Sequence, residues 1–234
     1  MSVIGGPDII TDGLVLHLDA ADKKSYPGSG TTWYDRSGNG NNGTLVNGPS
    51  FDGGNGGSIV FDGVDDHLST SLGTYTPYCI DIWFYNDDNI TSSIMEGDYQ
   101  QLAGVGTYPG GITLGAWTGA ATDETFSFFG YNWSVNGMTY IRDTAFSGIH
   151  NIVVNWNGST YDIWLDGTKR TTYASSYGHC TLHSRTGFAL GGALFNTYSY
   201  EFDGKIYSAK IYISQLSDNK VLQNFNAIKG RFNL

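Results

Sequence analysis

The chain has 234 residues, 15% of them aromatic and 15% charged, with 33 glycines and a formal net charge of −10 from 12 Lys+Arg against 22 Asp+Glu. This acidity, with no basic run to offset it, argues against nucleic-acid binding, because phosphate backbones would be repelled. The hydrophobic content excludes disorder. No stretch reaches the roughly 18 apolar residues of a bilayer span, so no membrane insertion is expected.

The N-terminus, Met1-Ser2-Val3-Ile4-Gly5-Gly6-Pro7, has neither a basic region nor an apolar core. It does not read as a signal peptide, so synthesis in the cytoplasm, with Cys79 and Cys180 as reduced thiols, is expected. Residues 1–10 read as a short arm and 11–234 as one domain. Leu14-Val15-Leu16-His17-Leu18-Asp19 alternates with period two and predicts a strand with Leu14, Leu16 and Leu18 on one face. Ser58–Asp62 and Tyr78–Tyr85 read the same way, the second with Ile80, Ile82 and Phe84 inward. Between them the Gly/Asn-rich stretch from Ser37 to Gly57 reads as loops inside the domain. Further strands are expected over 102–106, 112–117, 126–131 and 139–142. Ile152–Trp156, Asn157-Gly158, Tyr161–Leu165 and Asp166-Gly167 form an antiparallel meander whose Asn-Gly and Asp-Gly pairs accept the positive φ of tight turns. Strands at 186–190 and 204–213 follow.

One helix closes the chain. Ser217 suits an N-cap, Asp218 suits the positive end of the helix dipole, and Val221, Leu222, Phe225 and Ile228 recur at helical spacing. Gly230 is the expected C′ residue. The apolar stripe is short and predicts a lid over a sheet edge or one end of the core. All-β patterning with a single helix defines an all-β fold.

Residue types and their spacing bear on several chemistries. Glycosidases need two carboxylates roughly 5–9.5 Å apart. The three glutamates, Glu96, Glu124 and Glu201, are far apart in sequence, and the Glu-x-Asp-x-x-Glu strand motif of laminarinase-type glucanases is missing. Asp162 and Asp166 share a strand face but stand roughly 13 Å apart. No Gly-x-Ser-x-Gly elbow is present. His179-Cys180-Thr181-Leu182-His183 carries zinc-type ligands, but that spacing needs a helix. No enzymatic activity is therefore expected. Asp62, Asp65 and Asp66 crowd a Gly-containing loop, a density of hard oxygens that calcium uses. Spacing alone favours a turn whose aspartates cap the backbone. Trp117, Tyr131, Trp133, Tyr177, Tyr198 and Tyr200 lie in polar, Gly- or Ser-rich surroundings and suit either stacking on sugar rings or a protein contact.

Five stretches carry a resemblance. They are Asp12–Ala20, Ser25–Asp35, Ser37-Gly38-Asn39-Gly40-Asn41-Asn42-Gly43-Thr44-Leu45, Phe61–Asp66, and Phe202-Asp203-Gly204-Lys205-Ile206 with Gln223-Asn224-Phe225-Asn226-Ala227. In this order the chain resembles the laminin-G-like (LamG, concanavalin A-like) domains of tailed-bacteriophage structural proteins. The resemblance implies a jelly-roll sandwich of two antiparallel sheets. It also implies a non-enzymatic virion protein, a capsid decoration or surface-exposed component, or alternatively a carbohydrate-binding receptor-recognition module at a fibre tip or adhesin. Its implied partners are capsid or tail proteins, cell-surface glycans and a second copy of the chain in a homo-oligomer. It places the protein in the virion and implies a structural Ca²⁺ at Asp62, Asp65, Asp66 and Asp203.

Overall fold

A computed structural model describes residues 6–86, 100–105, 111–114, 124–130, 137–143, 147–174, 185–192 and 201–234. The alternating segments pair into two large antiparallel sheets. The first runs, in spatial order, Thr168–Lys169, Tyr161–Leu165, Gly148–Trp156, Cys79–Asn86, Asp203–Tyr212, Ser58–Asp62 and Ser50–Asp52. Leu14–Asp19 also pairs with Asp203–Tyr212, beyond the part of that strand taken by Ser58–Asp62. The second runs Tyr173–Ala174, Gly137–Asp143, Glu124–Gly130, Gly111–Leu114, Gln100–Val105, Phe188–Leu190, His67–Thr70, Gly43–Val46 and Thr32–Trp33.

The sheets pack face to face, as period-two patterning requires. Leu16, Leu18, Ile80, Ile82, Phe84, Ile206 and Ile211 from the first meet Trp33, Leu45, Leu68, Leu102, Phe188 and Leu190 from the second in one buried core. The architecture is the expected β-sandwich with one short C-terminal helix.

The Asp166-Gly167 turn has both φ angles positive, at 51° and 72°, the geometry of a two-residue hairpin turn. The Asn157-Gly158 connection differs from that simple form. Only Gly158 is left-handed, and the loop extends to Thr160, closed by the Asn157 Oδ1, which accepts from the Ser159 and Thr160 amides. The strand expected over 186–190 is split. Gly187, at φ 82°, breaks it so that Arg185–Thr186 pairs with Thr74–Tyr75 while Phe188–Leu190 joins the second sheet.

The helix spans Asp218–Ile228, with Ser217 as N-cap. No side chain caps it; the Ser217 carbonyl accepts from the Lys220 and Val221 amides. Gly230, expected from sequence as the C′ stop, is not left-handed and lies inside the turn that continues the chain. Lys229 caps the helix and the chain continues as a 3-10 turn, Lys229–Arg231. Nor does the helix cover an edge: it lies on the outer face of the first sheet. Val221 packs there with Leu14, Cys79, Val153 and Trp164, while Phe225 and Phe232 stack on Trp83 at 5.4 and 4.9 Å. This second, smaller core explains why the Cys79–Asn86 strand is apolar on both faces. Cys79 is a free thiol within it, and burial raises its pKa. Cys180 lies outside the described residues.

The outer face also holds polar groups. His17, Lys210 and Asp81 stand side by side on three neighbouring strands, since His17 pairs with Lys210 and Lys210 with Asp81. Lys210 Nζ lies 3.3 Å from Asp81 Oδ2, with the two side chains 0% and 1% exposed, and Asn151 Nδ2 donates to Asp81 Oδ1 at 2.8 Å. Within the arm expected over residues 1–10, residues 8–10 run along the helix. The Ile10 amide donates to Asn224 Oδ1, Tyr212 Oη donates to the Ile10 carbonyl, and Gln223 Nε2 donates to the Asp8 carbonyl.

Candidate functional site

Two clusters with recognisable chemistry lie at opposite ends of the sandwich, near the two ends of the ten-residue strand Asp203–Tyr212. At its pitch they are separated by about 30 Å.

The first is the loop from Asp62 to Asp66, which carries the chain from one sheet to the other. Asp62, Asp65 and Asp66 each offer a carboxylate oxygen within 4.8 Å of the others. Gly63 makes the turn at φ 71°, and a side chain there would meet the Asp203 Cβ at 2.8 Å. The carboxylates already serve the turn: Asp62 Oδ1 accepts from the Val64 amide at 2.9 Å, and Asp66 Oδ2 accepts from the Asp62 amide at 3.2 Å. Those backbone donors, Val64 foremost, hold the Asp62 carboxyl below the usual range. Asp66 is 4% exposed, and its pKa is raised by burial first and by the charge of Asp62 second. A crowded, partly desolvated triad of hard oxygens fits a divalent cation chemically. Asp203 pairs in register with Asp62 but is not among the three converging carboxylates.

The second is an open groove of about 460 Å³. Its walls carry Tyr75 and Tyr78, Asn39 and Asn41, and the apolar Val15 and Ile213; none of its nine lining residues is charged. Ile213 is 46% exposed. The Asn wall belongs to the loop Asp35–Asn42, which is braced from within. Asp35 accepts from the His17, Ser37 and Asn41 amides and from the Ser37 hydroxyl, and Asn42 Oδ1 accepts from the Asp35 amide. This bracing explains the Ser-Gly-Asn-Gly-Asn-Asn-Gly stretch: small residues let the loop fold tightly while the Asn side chains tie it to the Leu14–Asp19 strand.

Trp117, Tyr131, Trp133, Tyr177, Tyr198 and Tyr200 all lie outside the described residues, as do His179 and His183. Sequence reasoning did not single out Tyr75 or Tyr78. The signal was present in Thr74-Tyr75-Thr76-Pro77-Tyr78, where two tyrosines flank a proline at a sheet exit; Tyr78 instead looked like the first residue of the next strand. Asp162 and Asp166 are both held in structural contacts. Lys169 Nζ lies 2.6 Å from Asp162, and Asp166 bonds His150 and the Asn151 amide.

The β-sandwich fold is shared with several solved structures of low sequence identity. No family model matches the chain, and no curated protein matches it. Among solved structures it is similar to the binding domain of Paraclostridial Mosquitocidal Protein 1, at 14% identity and a TM-score of 0.65 over 92% of this chain and 52% of that one. It is similar to domain 4 of AbnA, a GH43 extracellular arabinanase from Geobacillus stearothermophilus solved with arabinotriose, at 14% identity and TM-score 0.59 over 91% of this chain and 98% of that domain. It is also similar to a Trypanosoma rangeli sialidase solved with sialic acid, at 13% identity and TM-score 0.64 over 98% of this chain. The chain spans about half of the mosquitocidal binding domain's length and 36% of the sialidase.

Proposed function

We propose that the protein is a non-enzymatic carbohydrate-binding module that recognises a glycan on a cell or particle surface. The observation that supports this most is the fold shared along almost the full length of a domain solved with a bound oligosaccharide. Asp162 and Asp166, the nearest approach to a catalytic carboxylate pair read from sequence, are engaged by Lys169 and His150 respectively. A place in a phage particle, as decoration or fibre tip, rests on the resemblance of the sequence motifs alone. A glycan array probed with the purified chain tests the reading: reproducible binding to a discrete set of glycans is expected, and uniform lack of signal overturns it.

The Asp62–Asp66 loop is assigned as a structural Ca²⁺ site, since a cation would offset the mutual repulsion that crowds Asp66. At tenfold excess over its Kd, Ca²⁺ is expected to raise the thermal midpoint by about 3–6 °C. EGTA should reverse the rise and Asp66→Asn should abolish it. An unchanged midpoint at millimolar Ca²⁺ would rule the site out.

A further inference from the structure

We propose that the groove between the Asp35–Asn42 loop and Tyr78 is the glycan site, and that its ligand is a neutral saccharide. This deepens the carbohydrate-binding reading and rests on it.

The lining has the two-sided chemistry of a sugar. One side is apolar and aromatic: Val15, Ile213 and Tyr78 offer C–H and ring surface to the C–H face of a pyranose or furanose. Among the described residues Tyr78 Oη has no hydrogen-bond partner, so the phenol is available to a hydroxyl. The other side is polar and fixed. Asn39 Nδ2 donates to the Leu14 carbonyl at 3.1 Å, and Asn41 Nδ2 donates to the Val15 carbonyl at 2.8 Å. Both amides are thereby pinned with their nitrogens turned to the strand. Their Oδ1 atoms are left as acceptors without a partner among the described residues. A wall held this way loses little entropy when a ligand arrives, which is how weak sugar contacts accumulate into affinity.

Charge selects the class. In a chain of net charge −10 the groove is lined, among the described residues, by no charged group. Behind the Asn wall sits the Asp35 carboxylate, bonded to the Asn41 amide at 3.0 Å. An anionic sugar, sialylated or uronic, would meet no cation there and a negative field behind the wall. A neutral sugar meets matched acceptors and apolar surface.

The test is a titration of the purified chain, followed by NMR, with arabinotriose, lactose, maltotriose and cellotriose against 3′-sialyllactose, each up to about 10 mM, a range that captures weak millimolar binding. At least one neutral oligosaccharide is expected to bind and to shift the Asn39 and Asn41 side-chain amide resonances, with 3′-sialyllactose at least about tenfold weaker. Tyr78→Ala and Ile213→Asp should each weaken binding about tenfold, and Ile213→Asp, at an exposed position, should leave the thermal midpoint within a few degrees of wild type. Neutral binding untouched by both variants would overturn the groove as the site while leaving the carbohydrate-binding reading intact. Preference for 3′-sialyllactose would overturn the ligand class. No binding by any member would overturn both.

Discussion

Asp81→Ala is expected to cost about 3–5 kcal/mol of stability, the penalty for leaving one member of a buried ion pair without its partner. Asp81 and Lys210 are 1% and 0% exposed, so neither water nor another carboxylate replaces the lost charge. Asn151 Nδ2 would lose its 2.8 Å bond to Asp81 and keep its contact with the Ile82 carbonyl. For a chain of this length the loss corresponds to a fall of about 6–20 °C in thermal midpoint. The double variant Asp81→Leu/Lys210→Met should recover most of it, because apolar side chains of similar volume replace buried pairs at little or no cost. Chemical denaturation of the three proteins checks this. A single-variant loss below about 1 kcal/mol would show that the pair is hydrated and the outer core looser than described.

Lowering the pH from 7 to 5 is expected to cost about 2 kcal/mol through His17 alone. Its pKa is pushed down to about 4, by burial first and then by the positive charge of Lys210 across the strand pair; Asp19, Asp81 and Asp35 oppose the shift without cancelling it. The sign follows from linkage. Above its ordinary value of about 6.5, His17 is neutral folded and unfolded, and contributes nothing. Below it, the unfolded chain takes a proton that the folded chain refuses, so stability falls until the folded pKa is reached near 4. Thermal midpoints at pH 7 and 5 should differ by several degrees, and His17→Gln, which cannot titrate, should flatten that dependence. Equal slopes for the two proteins would remove His17 as the cause.

The sequence and the structure agree where one physical rule dominates. Leu16 and Leu18 alternate because one face of their strand meets the opposite sheet, but Leu14, expected on that same face, is turned to the outer core by a bulge between Leu14 and Leu16. Asp166-Gly167 is legible because few pairs tolerate two positive φ angles in succession. The outer core was harder to see. Trp83 interrupts what would be an outward polar face, and its meaning depends on a helix more than a hundred residues away whose Phe225 stacks on it. Gly230 misled because a glycine after an apolar stripe usually stops a helix, whereas here the Lys229 turn follows and Phe232 stacks on Trp83. The Asp62–Asp66 loop could be read as a dense set of oxygens, but not their convergence, which depends on Gly63 folding the chain over Asp203. The groove was hidden for a simpler reason: its walls come from residues 15, 39–41, 75–78 and 213, brought together by sheet pairing.

The pairing of Leu14–Asp19 with Asp203–Tyr212 sets an order of events during synthesis. The earliest strand finds its sheet neighbour only in nearly the last one, and Ile10 meets Asn224, 214 residues further along. Among the described residues Asp203–Tyr212 also lies between Cys79–Asn86 and Ser58–Asp62 in the first sheet. The Leu14–Asp19 strand therefore has its sheet partner only once Asp203–Tyr212 is in place. Such distant closure raises the contact order of the domain and favours slow folding.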